Sequence, residues 1–152
     1  MKVETLEHLV EWAGEIHQRL GAELKVLADH ADEGTMQWFA QYAGKHEAQM
    51  AEQIVDVAQE ADAKALHTYV YDWIEHPPLN PSHIHEAVGE STNFDTLSQA
   101  VFEIHGEIVK LLQPLKTRAI IPEAKELIDQ ILSLEDGHAR QIAHQANRIG
   151  DM

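Results

Sequence analysis

The sequence predicts an all-α domain: a four-helix bundle made of two antiparallel helical hairpins joined by a long crossover connection. Apolar residues recur at three- and four-residue steps along four separate stretches, while the two-residue alternation of strands is almost absent. A length of 152 residues, 44% of them hydrophobic, suits one domain over residues 1–152 with a sizeable core of its own.

Helix A covers roughly residues 3–30, with Leu6, Leu9, Val10, Ala13, Ile16, His17, Leu20, Leu24 and Leu27 forming one continuous stripe. The cluster Asp32-Glu33-Gly34-Thr35 reads as a turn and helix start. Helix B then carries Phe39, Tyr42, Ala43, His46, Met50, Ile54 and Val57 and fades near Ala63, closing the first hairpin over residues 3–63. Residues 64–91 form the connection. Pro77, Pro78 and Pro81 bar a long helix there, and Tyr69, Tyr71 and Trp73 are expected to pack on the bundle. Thr92 and Asp95 read as a capping box for helix C, whose stripe runs through Leu97, Val101, Ile104, His105, Ile108 and Leu112 until Pro114 ends or kinks it. Pro122 suits the first position of helix D, with Leu127, Ile128, Ile131, Glu135, His138, Ile142 and Ile149 inward; the second hairpin spans residues 92–150. Trp12 and Trp38 fall off the centres of their stripes and are expected to meet the connection or a partner subunit.

Composition narrows the chemistry. With 26 acidic against 11 basic side chains, a net charge of −15, and no basic stripe, nucleic acid and anionic membrane are not expected partners. The absence of Cys excludes disulfides, thiol catalysis, Fe–S clusters and thiolate metal sites. No signal-peptide core or membrane-length apolar run is present, so a cytoplasmic protein is expected. No phosphate loop, nucleophile motif or nucleotide fingerprint occurs. What remains is chemistry by carboxylates and imidazoles.

A gapless offset of 88 residues superposes the two halves. Glu15-Ile16-His17 falls on Glu103-Ile104-His105, Leu24 and Leu27 on Leu112 and Leu115, Glu47 on Glu135, and Gln53-Ile54 on Gln141-Ile142. A matched Glu-Ile-His followed by a matched Glu is poorly explained by two amphipathic hairpins resembling each other by chance.

With that frame, and with Glu135-Asp136-Gly137-His138 on helix D, the chain resembles the ferritin-like superfamily, in particular its rubrerythrin-type and bacterioferritin-type bundles. The resemblance implies that each half supplies a Glu from its first helix and a Glu-x-x-His from its second to a dinuclear iron or manganese site. The chain departs from that pattern at Glu47-Ala48-Gln49-Met50, where Met replaces His.

Spacing decides which groups face the core. Residues two apart on a helix point roughly 200° from each other, so Glu15 and His17 cannot both face inward. His17 shares the stripe of Ala13, Leu20 and Leu24, and His105 that of Val101, Ile108 and Leu112, which turns Glu15 and Glu103 outward. A ferritin-type register would instead make Glu15 and Glu103 the ligands, burying charge and exposing Leu. On helix B, His46 lies nearer the stripe's centre and Glu47 at its margin. The inward polar set is His17, His46, Glu47, His105, Glu135 and His138. Two carboxylates and several imidazoles suit one divalent ion such as Fe, Mn or Zn better than a dinuclear site, which needs about four carboxylates. The expectation is a metal-binding bundle for oxidative, storage or sensing chemistry, served by an external electron donor if redox-active, and a homodimer by resemblance. The alternative is a metal-free structural or interaction bundle whose inner polar groups pair with one another.

Overall fold

The computed structural model describes residues 3–32, 34–74, 78–119 and 121–152. Of the positions invoked above, Glu33 and Pro77 lie outside the described residues. Among those described, the chain is all-helical: α1 (Leu6–His30), α2 (Thr35–Glu60), α3 (Ala63–Leu66), α4 (Ile84–Gly89), α5 (Phe94–Arg118) and α6 (Pro122–Gly150), with 3-10 turns at Tyr71–Trp73 and Pro81–His83. The only β pairing among them is an isolated bridge between Thr5 and Tyr69. Among the described residues, no helix is long and apolar enough to cross a membrane.

The four long helices enclose one apolar core. Short turns make neighbours of α1 and α2 and of α5 and α6, while α2 packs on α6. The offset of 88 residues also carries the bounds of α1, Leu6–His30, onto those of α5, Phe94–Arg118.

The connection is more structured than Pro content alone suggests. Leu6 N–H donates to Thr68 O and Val70 N–H to Glu4 O, both at 2.8 Å, fastening its first part beside the start of α1. Just beyond its end Phe94, the first residue of α5, stands edge-on to Phe39 near the start of α2, ring centroids 5.6 Å apart. Between these points α4 buries Ile84 and Val88 and packs on both α1 and α5. Trp12, off the stripe's centre yet 1% exposed, donates from Nε1 to Leu79 O at 2.5 Å, so its partner is the connection. Trp38 stays exposed.

Four local expectations need correction. Tyr69 and Tyr71, expected to pack on the bundle, are each 53% exposed, with their rings 6.2 Å apart beside one another. α2 ends at Glu60, and the residues after it form the separate turn α3, capped by Asp62. The capping box of α5 is one residue later than expected: Asn93 Oδ1 accepts from Thr96 N–H at 2.9 Å while Thr96 Oγ1 accepts from Asn93 N–H at 3.1 Å. Asn caps as well as Thr does. Pro114 neither ends α5 nor stops it short of Arg118, because Leu111, Leu112 and Leu115 are buried on both sides of it and hold the last turn. Pro122 does open α6.

Candidate metal centre

Among the described residues the core is apolar except for five buried polar residues, one or more from each long helix: His17, Glu47, His105, Glu135 and His138. Four of them close into a ring. His17 on α1 donates from Nδ1 to Glu47 Oε2 at 2.5 Å and from Nε2 to Glu135 Oε1 at 2.6 Å. His105 on α5 donates from Nδ1 to Glu135 Oε2 at 3.1 Å and from Nε2 to Glu47 Oε1. Each imidazole therefore bridges both carboxylates and each carboxylate bridges both imidazoles. The pattern has two-fold logic: each Nδ1 meets the Glu of its own hairpin and each Nε2 meets the Glu of the other.

Four contacts between ring nitrogens and carboxylate oxygens need four protons. With ionised carboxylates, which only accept, both imidazoles are cationic and the buried ring is neutral overall. Electrostatics favour that distribution. Burial alone would depress the His17 pKa, but the charges of Glu135 and Glu47 and their hydrogen bonds outweigh it and raise it to about 10. His105 is likewise raised to about 9, burial and the neighbouring His17 being overcome by Glu47 and Glu135. Burial would raise Glu47, yet His17 and His105 bring it down to about 2, and Glu135 is lowered by the same two rings. Among the described residues, no buried side-chain nitrogen or oxygen is left without a partner.

His46 and His138 stand outside the ring. Their Nδ1 atoms lie 3.2 Å apart, and His138 Nε2 donates to Gln53 Oε1 at 2.7 Å. Burial lowers the pKa of His46 against the raising charge of Glu47, and burial and His46 lower that of His138. On α2 the order expected from the stripe is reversed: Glu47 is fully buried and His46 only partly. The reason is Gly44, whose close approach to α1 rotates α2 so that Gly44, Glu47, Met50 and Ile54 form the inward line. The outward placement of Glu15 and Glu103 agrees with the stripes: Glu15 pairs with Arg19 at 3.0 Å, and the exposed Glu103 accepts from Gln99 at 3.0 Å.

A cleft of about 500 Å³ between α5 and α6 reaches the His105 and Glu135 edge of the ring. Phe102, Val109, Leu132 and Ala139 form its apolar walls, with Gly106 between them. Sequence reasoning missed this opening, although the glycine pattern that marks it is legible once the halves are aligned.

His17, His105 and Glu135 each offer one ligand atom, all within 4.8 Å of one another, so this buried group could hold a metal ion. Imidazole and carboxylate suit Zn, Fe or Mn, and with Glu47 the ring supplies two carboxylates, half of what a dinuclear carboxylate site uses. Compared with models of known protein families, with curated proteins and with solved structures, the chain matches none.

Proposed function

We propose that the protein binds one divalent metal ion at the ring of His17, Glu47, His105 and Glu135, within a ferritin-like bundle whose halves arose by duplication. The observation that carries this reading is the ring itself: two imidazoles and two carboxylates, one from each long helix, converging in an otherwise apolar core. Charge supports a divalent ion. The proton-filled ring is neutral; exchanging two of its four protons for one M²⁺ leaves two neutral imidazoles, two carboxylates and the ion, again neutral. A trivalent ion would bury an uncompensated charge. Iron or manganese would supply redox chemistry with dioxygen or peroxide and zinc Lewis acidity; with no Cys in the chain, electrons for a redox cycle come from an external donor.

A second reading, a metal-free lock between the two hairpins, is favoured by one observation: both nitrogens of each imidazole are engaged by carboxylates, so the ring satisfies itself. Metal loading separates the two. Protein purified without affinity-tag nickel and loaded with Fe²⁺, Mn²⁺ or Zn²⁺ is expected to hold one ion per chain. It should release about two protons per ion, so that apparent affinity rises about a hundredfold per pH unit around neutrality. Less than about a tenth of an ion per chain at pH 8, where proton competition is about a hundredfold weaker than at pH 7, would leave the metal-free lock as the surviving reading.

A further inference from the structure

Two of the polar groups expected inside the bundle take no part in the ring, and their arrangement has its own chemistry. His46 on α2 and His138 on α6 meet across the α2/α6 contact with ring centroids 5.3 Å apart and Nδ1 atoms 3.2 Å apart. We propose that His46 and His138 form a second metal site, separate from the ring, for a nitrogen-preferring transition ion such as Cu²⁺, Ni²⁺ or Zn²⁺, with solvent completing the coordination.

The spacing is the first argument. Two ligands bound at about 2.0–2.1 Å to a tetrahedral ion stand roughly 3.3 Å apart. The nitrogens face each other at that separation from two different helices. The second argument is the far side of His138. Gln53 Oε1 can only accept, so His138 Nε2 carries the proton and Nδ1 presents its lone pair toward His46. A ligating imidazole whose other nitrogen donates to an oxygen is the usual outer-shell arrangement of metal-bound His, because it fixes both tautomer and ring direction.

Access is the third. The ring is buried and borders solvent only along the cleft at His105 and Glu135, whereas His46 is half-buried and Gln53 exposed, so an ion reaches this pair from solvent without unfolding the core. Tyr42 lies against His46, ring centroids 4.6 Å apart, and limits how that imidazole can turn. Ligand chemistry sets selectivity: two imidazoles with no carboxylate in the pair favour Cu²⁺ first, then Ni²⁺ and Zn²⁺, and disfavour Mn²⁺, Mg²⁺ and Ca²⁺. The pair also lacks the ring's symmetry, since the residues at the 88-residue offset are Leu134 and Met50.

The test is one equivalent of Cu²⁺ added to the full chain at neutral pH and read by electron paramagnetic resonance. The expected spectrum shows nitrogen couplings from two imidazoles. His46→Gln and His138→Gln should each remove one coupling and weaken binding by about tenfold or more, and Gln53→Leu should weaken it by about tenfold with both couplings kept. His46 is only partly buried, so His46→Gln retains the helical circular dichroism that certifies a folded comparison. A copper signal unchanged in His46→Gln, or one with fewer than two imidazole nitrogens in the unsubstituted protein, overturns the proposal. Loss of ring loading with the two-imidazole copper signal intact would count against the ring site alone.

Discussion

The two hairpins share one frame and close in different ways. In α1–α2 the backbones touch: a Cβ on Gly21 would stand 3.2 Å from the Ala48 nitrogen and 3.3 Å from the Gly44 carbonyl oxygen. At the 88-residue offset, Gly14, Gly21 and Gly44 become Phe102, Val109 and Leu132 in α5–α6. All three line the cleft that ends on His105 and Glu135, so Val109 and Leu132 place side chains where Gly21 and Gly44 bring backbone against backbone. The ring thus has a sealed side and a side that borders the cleft: His17 and Glu47 are 0% exposed, His105 4% and Glu135 1%. Similar halves can supply like inward groups and unlike walls, and in this fold the wall decides on which side the buried charges border a cleft.

The largest expected effect tests whether that wall matters to the ring. Glu47→Leu leaves two buried imidazolium groups sharing one carboxylate, and breaking a buried ion pair in this way costs about 3–5 kcal/mol. That is a large share of the ~5–15 kcal/mol that stabilises an ordinary domain. Glu135→Leu removes the equivalent group beside the cleft, where water can enter and solvate the orphaned charge, so it should cost less. Urea unfolding at pH 7 compares them. Equal losses would show that the cleft does not hydrate the ring.

A pair of effects, smaller per pH unit and opposite in direction, separates the ring from the His46–His138 pair in the metal-free protein. The ring imidazoles have folded pKa values raised to about 10 and 9 from an ordinary 6.5, so they contribute stability that is complete below about 6.5. That contribution is lost as pH rises through 9 and 10, at up to about 1.4 kcal/mol per pH unit for each group. Glu47, lowered to about 2 from 4.5, contributes above 4.5 and loses its contribution as pH falls toward 2. His46 and His138, both lowered, favour the folded state above 6.5 and weaken it as pH falls below. Thermal melts across pH 4–11 should therefore decline on the alkaline side in the unsubstituted protein, and His46→Gln should flatten only the acid side. An alkaline limb unchanged in His17→Gln would refute the assignment of that limb to the ring.

The inward His residues were legible in the sequence because a helix permits only one face to be buried, and the stripes through Leu20, Leu24, Ile108 and Leu112 fixed that face. The long helices and the first position of α6 were legible for the same kind of local reason. What could not be read was anything set by contact between helices. The stripe on helix B favoured His46 because glycine has no hydropathy to weigh, yet Gly44 against Gly21 sets the rotation of α2 and brings Glu47 inside. The division of the inward groups into a four-membered ring and a separate pair depends on how α2 faces α6, which no single-helix pattern contains. The structure of the connection was hidden by its Pro content; its packing rests on distant partners such as Thr5 and Trp12.

The smallest expected effect sharpens the comparison of hairpins most directly, because the same substitution should change sign between them. A Cβ at Gly106, on the cleft side of α5, would meet nothing within 4 Å. Gly106→Ala therefore adds helix propensity with no steric charge and should stabilise by about 0.5–1 kcal/mol. Gly21→Ala gains the same propensity but places its methyl against backbone atoms at 3.2 and 3.3 Å, which must move with α2 attached. Such overpacking costs about 1–3 kcal/mol, so the net result is destabilising. Urea midpoints for the two single variants and the double decide the point. The double should equal the sum of the singles, because the two sites lie in different hairpins and share no partner. If Gly21→Ala proves as stabilising as Gly106→Ala, α2 can move away from α1 at little cost, and the sealed side of the ring is not held shut by its glycines.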